Sequence, residues 1–533
     1  MCIRDSLRRE LPYASDIYLG HVRYGTYGLN NIENVHPVIR SNNWRSRNLV
    51  LAGNFNLTNV NEIFASLVDI GQHPTDFSDT VTILENVGHF LDEEVEALFR
   101  DYREQGLEKK AISPLIEEQL QVAEVLRKAS KRWDGGYAMA GMLGHGDAFV
   151  VRDPWGIRPV FYYTDDEMIV VASERPVIQT VFNLKTNQVR ELQPGYALTS
   201  KAAGKIRLEM IREPEIERKC SFERIYFSRG TDKSIYRERK KLGEQLTGRV
   251  LEKIDYDLEN TVFSYIPNTA ESAFYGLVKG LEDYLRDHKI KLIREKGHSM
   301  SDEELEKLLS SRPRIEKLAV KDAKLRTFIT EDKSRDDLVG HVYDVTYGVI
   351  RRGVDSMVVL DDSIVRGTTL KKSIVRILDR LDPRKIVIVS SSPQIRYPDC
   401  YGIDMAKLGD FIAFRAAIEL LKAEGLEGII NEVHEKALKE NAKAPEKIEN
   451  VVKEIYKPFS AEQISSQIAR MLRLPVIKAG LVIVYQSIEG LHEACPGHLG
   501  DWYFTGDYPT PGGNRVANQS FVNYMENKDD RAY

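Results

Sequence analysis

The run Met357-Val-Val-Leu-Asp-Asp-Ser-Ile-Val-Arg-Gly-Thr-Thr369 gathers groups that can do chemistry. An apolar strand ends in two adjacent carboxylates, Asp361 and Asp362. Ser363, Arg366, Gly367, Thr368 and Thr369 follow, and then a helical pattern begins. Loop amides at a helix start form a site for a dianionic phosphate. Gly367 lets the backbone come close to such a ligand. Either threonine hydroxyl can donate to the phosphate or cap the helix. Open α/β sheets bind ligands at the carboxyl ends of their strands, where the Asp pair stands. Two neighbouring carboxylates repel in a dry site, so they are best explained as acceptors for a diol or as partners of Mg²⁺ held with it. A ribose 5-phosphate with free 2- and 3-hydroxyls satisfies both halves of the string. A bare Asp-Asp is more often a solvated strand end, and the specificity lies in the full string.

The chain around it is 533 residues with 75 Lys+Arg against 80 Asp+Glu, a net charge of -5. At about 150 residues per domain, two to four domains are expected. The mild acidity argues against non-specific nucleic-acid binding. A membrane span is not expected, because no apolar run reaches the required length, and Met1–Glu10 has no apolar core of a secretory signal. Cys2, Cys220, Cys400 and Cys495 are far apart, which argues against a disulfide scaffold and for a reducing, cytoplasmic home.

Three zones are legible. Residues 1–205 are strand-rich, with amphipathic helices expected over 92–106 and 116–128, and closing loops at 193–195 and 201–205. Residues 220–415 alternate strand and helix: strands at 261–266, 357–360 and 386–390, and a helix over 370–381 with Ile374, Ile377, Leu378 and Leu381 on one face. That order predicts a parallel sheet. Within it, about 282–324 is dense in Lys and Glu and reads as a solvated helical insertion. Residues 416–533 read as an extension, helical at first and mostly loop over 500–518. Gly144-His-Gly146 reads as a hairpin turn.

The 361–369 string resembles the phosphoribosyl diphosphate (PRPP) loop of type I phosphoribosyltransferases, in the form carried by the amidophosphoribosyltransferase family. Cys220-Ser-Phe-Glu-Arg-Ile-Tyr-Phe-Ser-Arg229, Ser392-Pro-Gln-Ile-Arg-Tyr-Pro398 and Tyr401-Gly-Ile-Asp404 are similar to other family segments. Arg326-Thr-Phe-Ile329 with Arg335 resembles the loop that closes over PRPP, which implies pyrophosphate contacts from both arginines. The family's Pro-Asp-Ser-Gly segment is represented here by Ala270-Glu-Ser-Ala273, so the resemblance implies Ser272 as a metal contact beside Asp361 and Asp362. PRPP contacts are implied for Asp361, Asp362, Ser363, Arg366, Gly367, Thr368 and Thr369.

In the first zone, Gly20-His-Val-Arg-Tyr-Gly-Thr-Tyr-Gly28 resembles a segment of glutamine amidotransferases with an N-terminal nucleophile. Asp134-Gly-Gly-Tyr137 and Arg152-Asp-Pro-Trp-Gly-Ile-Arg-Pro159 also look like that domain. The likeness implies that Arg23 holds the glutamine α-carboxylate, that Asp79 of Ser78-Asp-Thr-Val81 holds its ammonium, and that Asn54 and the backbone N–H of Phe55 form the oxyanion hole. The chemistry needs a Cys as the first residue of the mature chain. Cys2 is a poor candidate: Ile-Arg-Asp-Ser follows it, and only residues 3–19 separate it from Gly20. The family's true amino-terminal segment is therefore expected to be missing and the glutaminase half inactive.

The resemblance implies an incomplete αββα glutaminase domain of α+β class, followed by an α/β phosphoribosyltransferase domain. It implies 5-phosphoribosylamine formation from PRPP and glutamine-derived ammonia, the first committed step of de novo purine (IMP) biosynthesis. Mg²⁺, a homo-oligomer and purine-nucleotide inhibitors are implied as well. An Fe–S cluster is not expected. Cys220 stands at one family ligand position and Cys400 is one residue out of register with another. Gly500 and Tyr503 occupy the remaining pair, and Cys495 and His498 lie earlier. The competing readings are an ammonia-only transferase and a non-catalytic PRPP or nucleotide sensor. A hexosamine-forming enzyme has no need of the 361–369 string.

Overall fold

The computed structural model describes residues 15–22, 35–74, 76, 78–321, 343–403 and 405–532. The first sheet is antiparallel. Its strands are β1 (Val38–Arg40), β2 (Leu49–Leu57), β3 (Gly135–Leu143), β4 (Ala148–Arg152), β8 (Tyr196–Ser200) and β9 (Ile206–Met210), side by side in that order. A second small sheet combines β5 (Phe161–Thr164), β6 (Ile169–Ala172) and β7 (Arg190–Glu191), with β5 in the middle. Strand alternation sends Leu49, Leu51, Phe55 and Leu57 of β2 to one face. They meet Ile83, Val87, Leu91 and Val95 of helix Asp79–Glu104, whose spacing of four keeps one apolar stripe inward. The opposite face packs Ala138, Val150 and Leu198 against Val160 and Tyr162 of the small sheet. Helix Arg175–Phe182 covers the outside of that sheet, which completes the expected αββα layering.

The second sheet is fully parallel. Its strands are β10 (Thr261–Tyr265), β11 (Arg314–Ile315), β14 (Ser356–Asp361), β15 (Lys385–Ser390) and β16 (Gly480–Tyr485), in the order β11-β10-β14-β15-β16. Val358, Leu360, Val387 and Val389 pack on helices Lys233–Lys253 and Glu271–Lys296. Met357, Val359, Ile386 and Ile388 face Ile374, Ile377, Leu378, Phe414 and Ile468 on the other side. Burial on both faces explains the uninterrupted apolar runs in these strands. The two helices touch backbone to backbone: a β-carbon on Gly243 would stand 1.7 Å from Ala273 O, and one on Gly276 1.8 Å from Lys240 O. An antiparallel pair, β12 (Ala319–Lys321) and β13 (Tyr343–Val345), flanks this sheet.

Several expectations are corrected. The first sheet continues past residue 205, because β9, with Ile206, Leu208 and Met210 alternating with Arg207 and Glu209, adds an edge strand. A single helix, Asp79–Glu104, replaces the shorter one expected over 92–106. The helix expected over 116–128 is two, broken where Leu120 turns extended (ψ 123°) and buries itself beside Val122. Residues 282–324 are only partly an insertion: the helix after β10 runs through to Lys296, and β11 inside this stretch pairs with β10. The extension after 415 contributes β16 to the parallel sheet. Residues 500–518 are not mostly loop, because helix Pro511–Met525 starts with proline at its first position. Its Gly512 and Gly513 are needed for contact: β-carbons there would stand 1.8 Å from Thr58 Oγ1 and 2.5 Å from Tyr508 Cδ1. Gly144–Gly146 does turn the hairpin between β3 and β4.

Buried polar contacts join the two halves. The fully buried Arg158 guanidinium donates from Nε to Tyr401 O at 2.8 Å and from Nη1 to Glu223 Oε1 at 3.0 Å. Asn56 Nδ2 donates to Cys400 O at 2.7 Å. Asp134 accepts from Thr510 Oγ1 at 2.5 Å and Gly512 N at 3.1 Å.

Candidate active site

Strand β14 carries Asp361 and Asp362 to the carboxyl end of the parallel sheet, between β10 and β15. Asp362 N donates to Asp361 Oδ1 at 2.9 Å, and Ser363 Oγ donates to Asp362 Oδ2 at 2.8 Å. The backbone of the pair is fixed from β15, with Ser391 N on Asp361 O and Ser392 N on Asp362 O. Burial, followed by repulsion from Asp362, raises the Asp361 carboxyl well above the usual carboxylate range. Burial raises Asp362 to about 6, against the opposing pull of the Ser363 hydroxyl and the Arg239 charge. Both carboxyls thus hold their protons more tightly than free ones, and a cation or a diol's hydroxyl protons favour the ionised pair.

Gly367 takes φ 72°, a left-handed conformation that glycine adopts without strain. A β-carbon there would also stand 2.5 Å from Ile412 Cδ1. The glycine is thus required by the turn and by the residue beneath it, whatever the loop binds. The next helical turn starts at once (Leu370–Ile374) and continues as helix Val375–Asp379. Neither threonine caps it: Thr369 makes no capping bond, and both Thr368 and Thr369 are exposed. In place of the expected cap, the helix start presents two open hydroxyls. Arg366 turns away to Asp410, 3.0 Å off, while its carbonyl accepts from Arg415.

Ser272 lies in the first turn of helix Glu271–Lys296, past the loop 266–270 that leaves β10. Thr269, half-buried, stands in that loop itself, closer along the chain to the end of β10. Arg239 is a participant that sequence reasoning misses. It sits on helix Lys233–Lys253, donates to Arg224 O, Tyr226 O and Ser228 O, and its charge opposes the rise of the Asp362 carboxyl. Nothing in a lysine- and arginine-rich helix distinguishes it from its exposed neighbours. Arg326 and Arg335 lie outside the described residues.

In the first half, Asn54 is exposed on β2 and Phe55 is buried beside the helices. Asn54 Oδ1 approaches Gly402, where a β-carbon would stand 3.3 Å from it. Gly53 N donates to His36 Nδ1 at 3.2 Å, and strand alternation aims the Phe55 N–H at the same edge. With Nδ1 accepting, His36 Nε2 donates to Thr80 Oγ1 at 3.0 Å, and Thr80 Oγ1 donates to Asp79 Oδ1 at 3.1 Å. His36 and Thr80, neither of them singled out from sequence, thereby tie Asp79 to the strand that carries Asn54. Cys2 and Arg23 lie outside the described residues.

Cys220, Cys400 and Cys495 are free and buried. Burial pushes the Cys220 thiol up to about 12, and Tyr503 Oη lies 3.5 Å from its sulfur. Among the described residues, no three His, Cys, Asp or Glu side chains converge as a ready-made metal cage. The Asp pair is instead a two-carboxylate donor set, suited to a hard cation that brings its other oxygen ligands with it. Among the described residues, no helix is long and apolar enough to cross a membrane.

No protein-family model matches the chain. Curated relatives do. The amidophosphoribosyltransferase of Pseudomonas aeruginosa is 27% identical over 413 residues, covering 75% of this chain and 71% of that protein. The Escherichia coli protein of the same name is 27% identical over 426 residues, covering 77% and 73%. Among solved structures, the glutamine PRPP amidotransferase of Bacillus subtilis, complexed with ADP and GMP, superposes with a TM-score of 0.58 at 23% identity. That match covers 92% of this chain and 82% of the other. In sequence over about three quarters of its length, and in fold, the chain is similar to the amidophosphoribosyltransferases.

Proposed function

We propose that this chain joins ammonia to C1 of PRPP, displacing pyrophosphate and forming 5-phosphoribosylamine, the first committed step of de novo purine (IMP) biosynthesis. The observation that carries the reading is the half-buried Asp361–Asp362 pair at the end of β14, both carboxyls raised, beside open loop hydroxyls and a helix start. The loop amides and the Thr368 and Thr369 hydroxyls hold the 5-phosphate. Asp361 and Asp362 accept from the ribose hydroxyls and so fix the sugar's orientation. Mg²⁺, held by the Asp pair with Ser272 or Thr269, supplies neutralisation of the departing pyrophosphate when it is bound. Arg326 and Arg335 are assigned to the same leaving group. Arg239 offsets the charge of Asp362 from behind.

Glutamine is the intended ammonia source, with Arg23 and Asp79 on the amino acid and Asn54 with Phe55 N–H on the oxyanion. The segment 391–402 supports internal transfer: it starts hydrogen-bonded to the Asp pair and ends against Asn54. Purine nucleotides as inhibitors, self-association and a cytoplasmic location belong to the same reading.

The test is pyrophosphate release from PRPP and Mg²⁺ with glutamine or ammonium as donor. Release with ammonium supports the transferase site. Additional release with glutamine, lost in Cys2→Ala, assigns the nucleophile to Cys2. A folded protein that binds PRPP and releases nothing with either donor is a sensor, and the proposal is then wrong.

A further inference from the structure

The parallel sheet has a second end, remote from the Asp pair. At the amino-terminal ends of β14, β15 and β16 lies a cleft of about 340 Å³. Strand β14 is six residues long, which puts the cleft about 17–20 Å from Asp361. Arg352 enters it from the turn before β14, and Arg376 and Arg380 from the end of helix Val375–Asp379. Lys478, from the connection into β16, adds a fourth cation. All four side chains are exposed, and among the described residues none has an ion-pair partner.

That is unusual for this end of the sheet. Arg314 and Arg351, close by, are both locked onto the buried Asp355 carboxylate at 2.7 Å. In the cleft, Asp379 is already engaged, because its Oδ1 accepts from Lys478 N at 3.1 Å and Ala479 N at 3.0 Å. Asp382 is the other acid, which leaves the lining with four cations against two carboxylates. The arginines are not needed as helix caps, since Arg380 N closes on Ile377 O and Leu381 N on Leu378 O. Clustered like charge without a counterion costs free energy that a bound anion returns. Planar guanidinium forks match phosphate oxygens in pairs. Val476 and Ile477 give the cleft one apolar wall, and its volume suits a small phosphorylated metabolite.

We infer that this cleft is a second anion site, taking the phosphate or diphosphate group of a small metabolite, separate from the 361–369 loop. The inference does not depend on the proposed transferase reaction. Hydrogen exchange of the full chain tests it, with inorganic pyrophosphate as one probe and adenosine monophosphate as the other, both without Mg²⁺. Slowed exchange over 376–382 and 476–480 is expected, with half-saturation weakened about tenfold or more in Arg376→Ala/Arg380→Ala. Protection by adenosine monophosphate but not pyrophosphate identifies an ester site, and the reverse a diphosphate site. Arg352→Gln serves as an independent variant should the double one fail to fold. Protection confined to 361–370, no protection by either probe, or protection indifferent to these substitutions overturns the inference.

Discussion

Replacing Asp361 and Asp362 together by asparagine is expected to cut pyrophosphate release at least about 10²-fold, the scale of losing transition-state electrostatic groups. The same substitution is expected to stabilise the unliganded protein at pH 7.5. Both carboxyls are raised in the folded state, so the folded chain binds more protons than the unfolded one from about pH 4 upward, to about pH 6 for Asp362. Stability therefore falls as pH rises through the folded-state values of the pair, and the Asp362 part of the penalty is present in full above about pH 6. Asparagine removes the penalty, which amounts to about 1–3 kcal/mol for a shift like that of Asp362. Thermal unfolding at pH 4 and pH 7.5 reads the effect: the variant gains at the higher pH and not at the lower. A variant less stable at pH 7.5 contradicts the strained-pair account. The same linkage predicts that Mg²⁺ with PRPP binds more tightly as pH rises past 6, with release of protons.

Arg158→Met is expected to cost about 3–5 kcal/mol of stability, the range for removing one partner of a buried ion pair. Arg158 is completely buried, and it is the cation that faces Glu223 and Asp399. Burial raises the Asp399 carboxyl, and the Arg158 charge is the first influence opposing that rise. Without it, Tyr401 O loses its guanidinium donor, Glu223 keeps only the Ser228 hydroxyl, and Asp399 loses its counter-charge. Asp399 also accepts from Trp502 Nε1 at 3.1 Å and Ile403 N at 2.6 Å, so the loss spreads into the segment that ends at Asn54. Urea unfolding measures it, and a midpoint unchanged from wild type contradicts the assignment.

The parts of this molecule legible in the sequence are those whose determinants are consecutive. The 361–369 loop is one: strand, acid pair, glycine and helix start follow one another, and the backbone realises that order. The αββα layering was legible only through the likeness of segments such as 78–81, 134–137 and 152–159, and the helix that begins at Asp79 was expected to start only at 92. What escaped depends on neighbours distant in the chain. Arg239 acts electrostatically on Asp362 from a helix more than a hundred residues earlier, and His36 joins Gly53 to Asp79 only once β1 and β2 pair. Strand β16 was hidden by the long connection from β15, although Leu481–Tyr485 is as apolar as β14. Helix Pro511–Met525 was hidden by Gly512 and Gly513, which local propensity counts as loop and packing against Thr58 and Tyr508 requires.

The most direct measurement is phosphorus NMR of PRPP with Mg²⁺ and ammonium at mildly alkaline pH, following every phosphorus species over time. The account predicts that PRPP disappears as pyrophosphate and 5-phosphoribosylamine appear in equal amounts, and that Asp361→Asn/Asp362→Asn stops both. PRPP left intact by a folded wild-type chain, or pyrophosphate released without phosphoribosylamine, contradicts it.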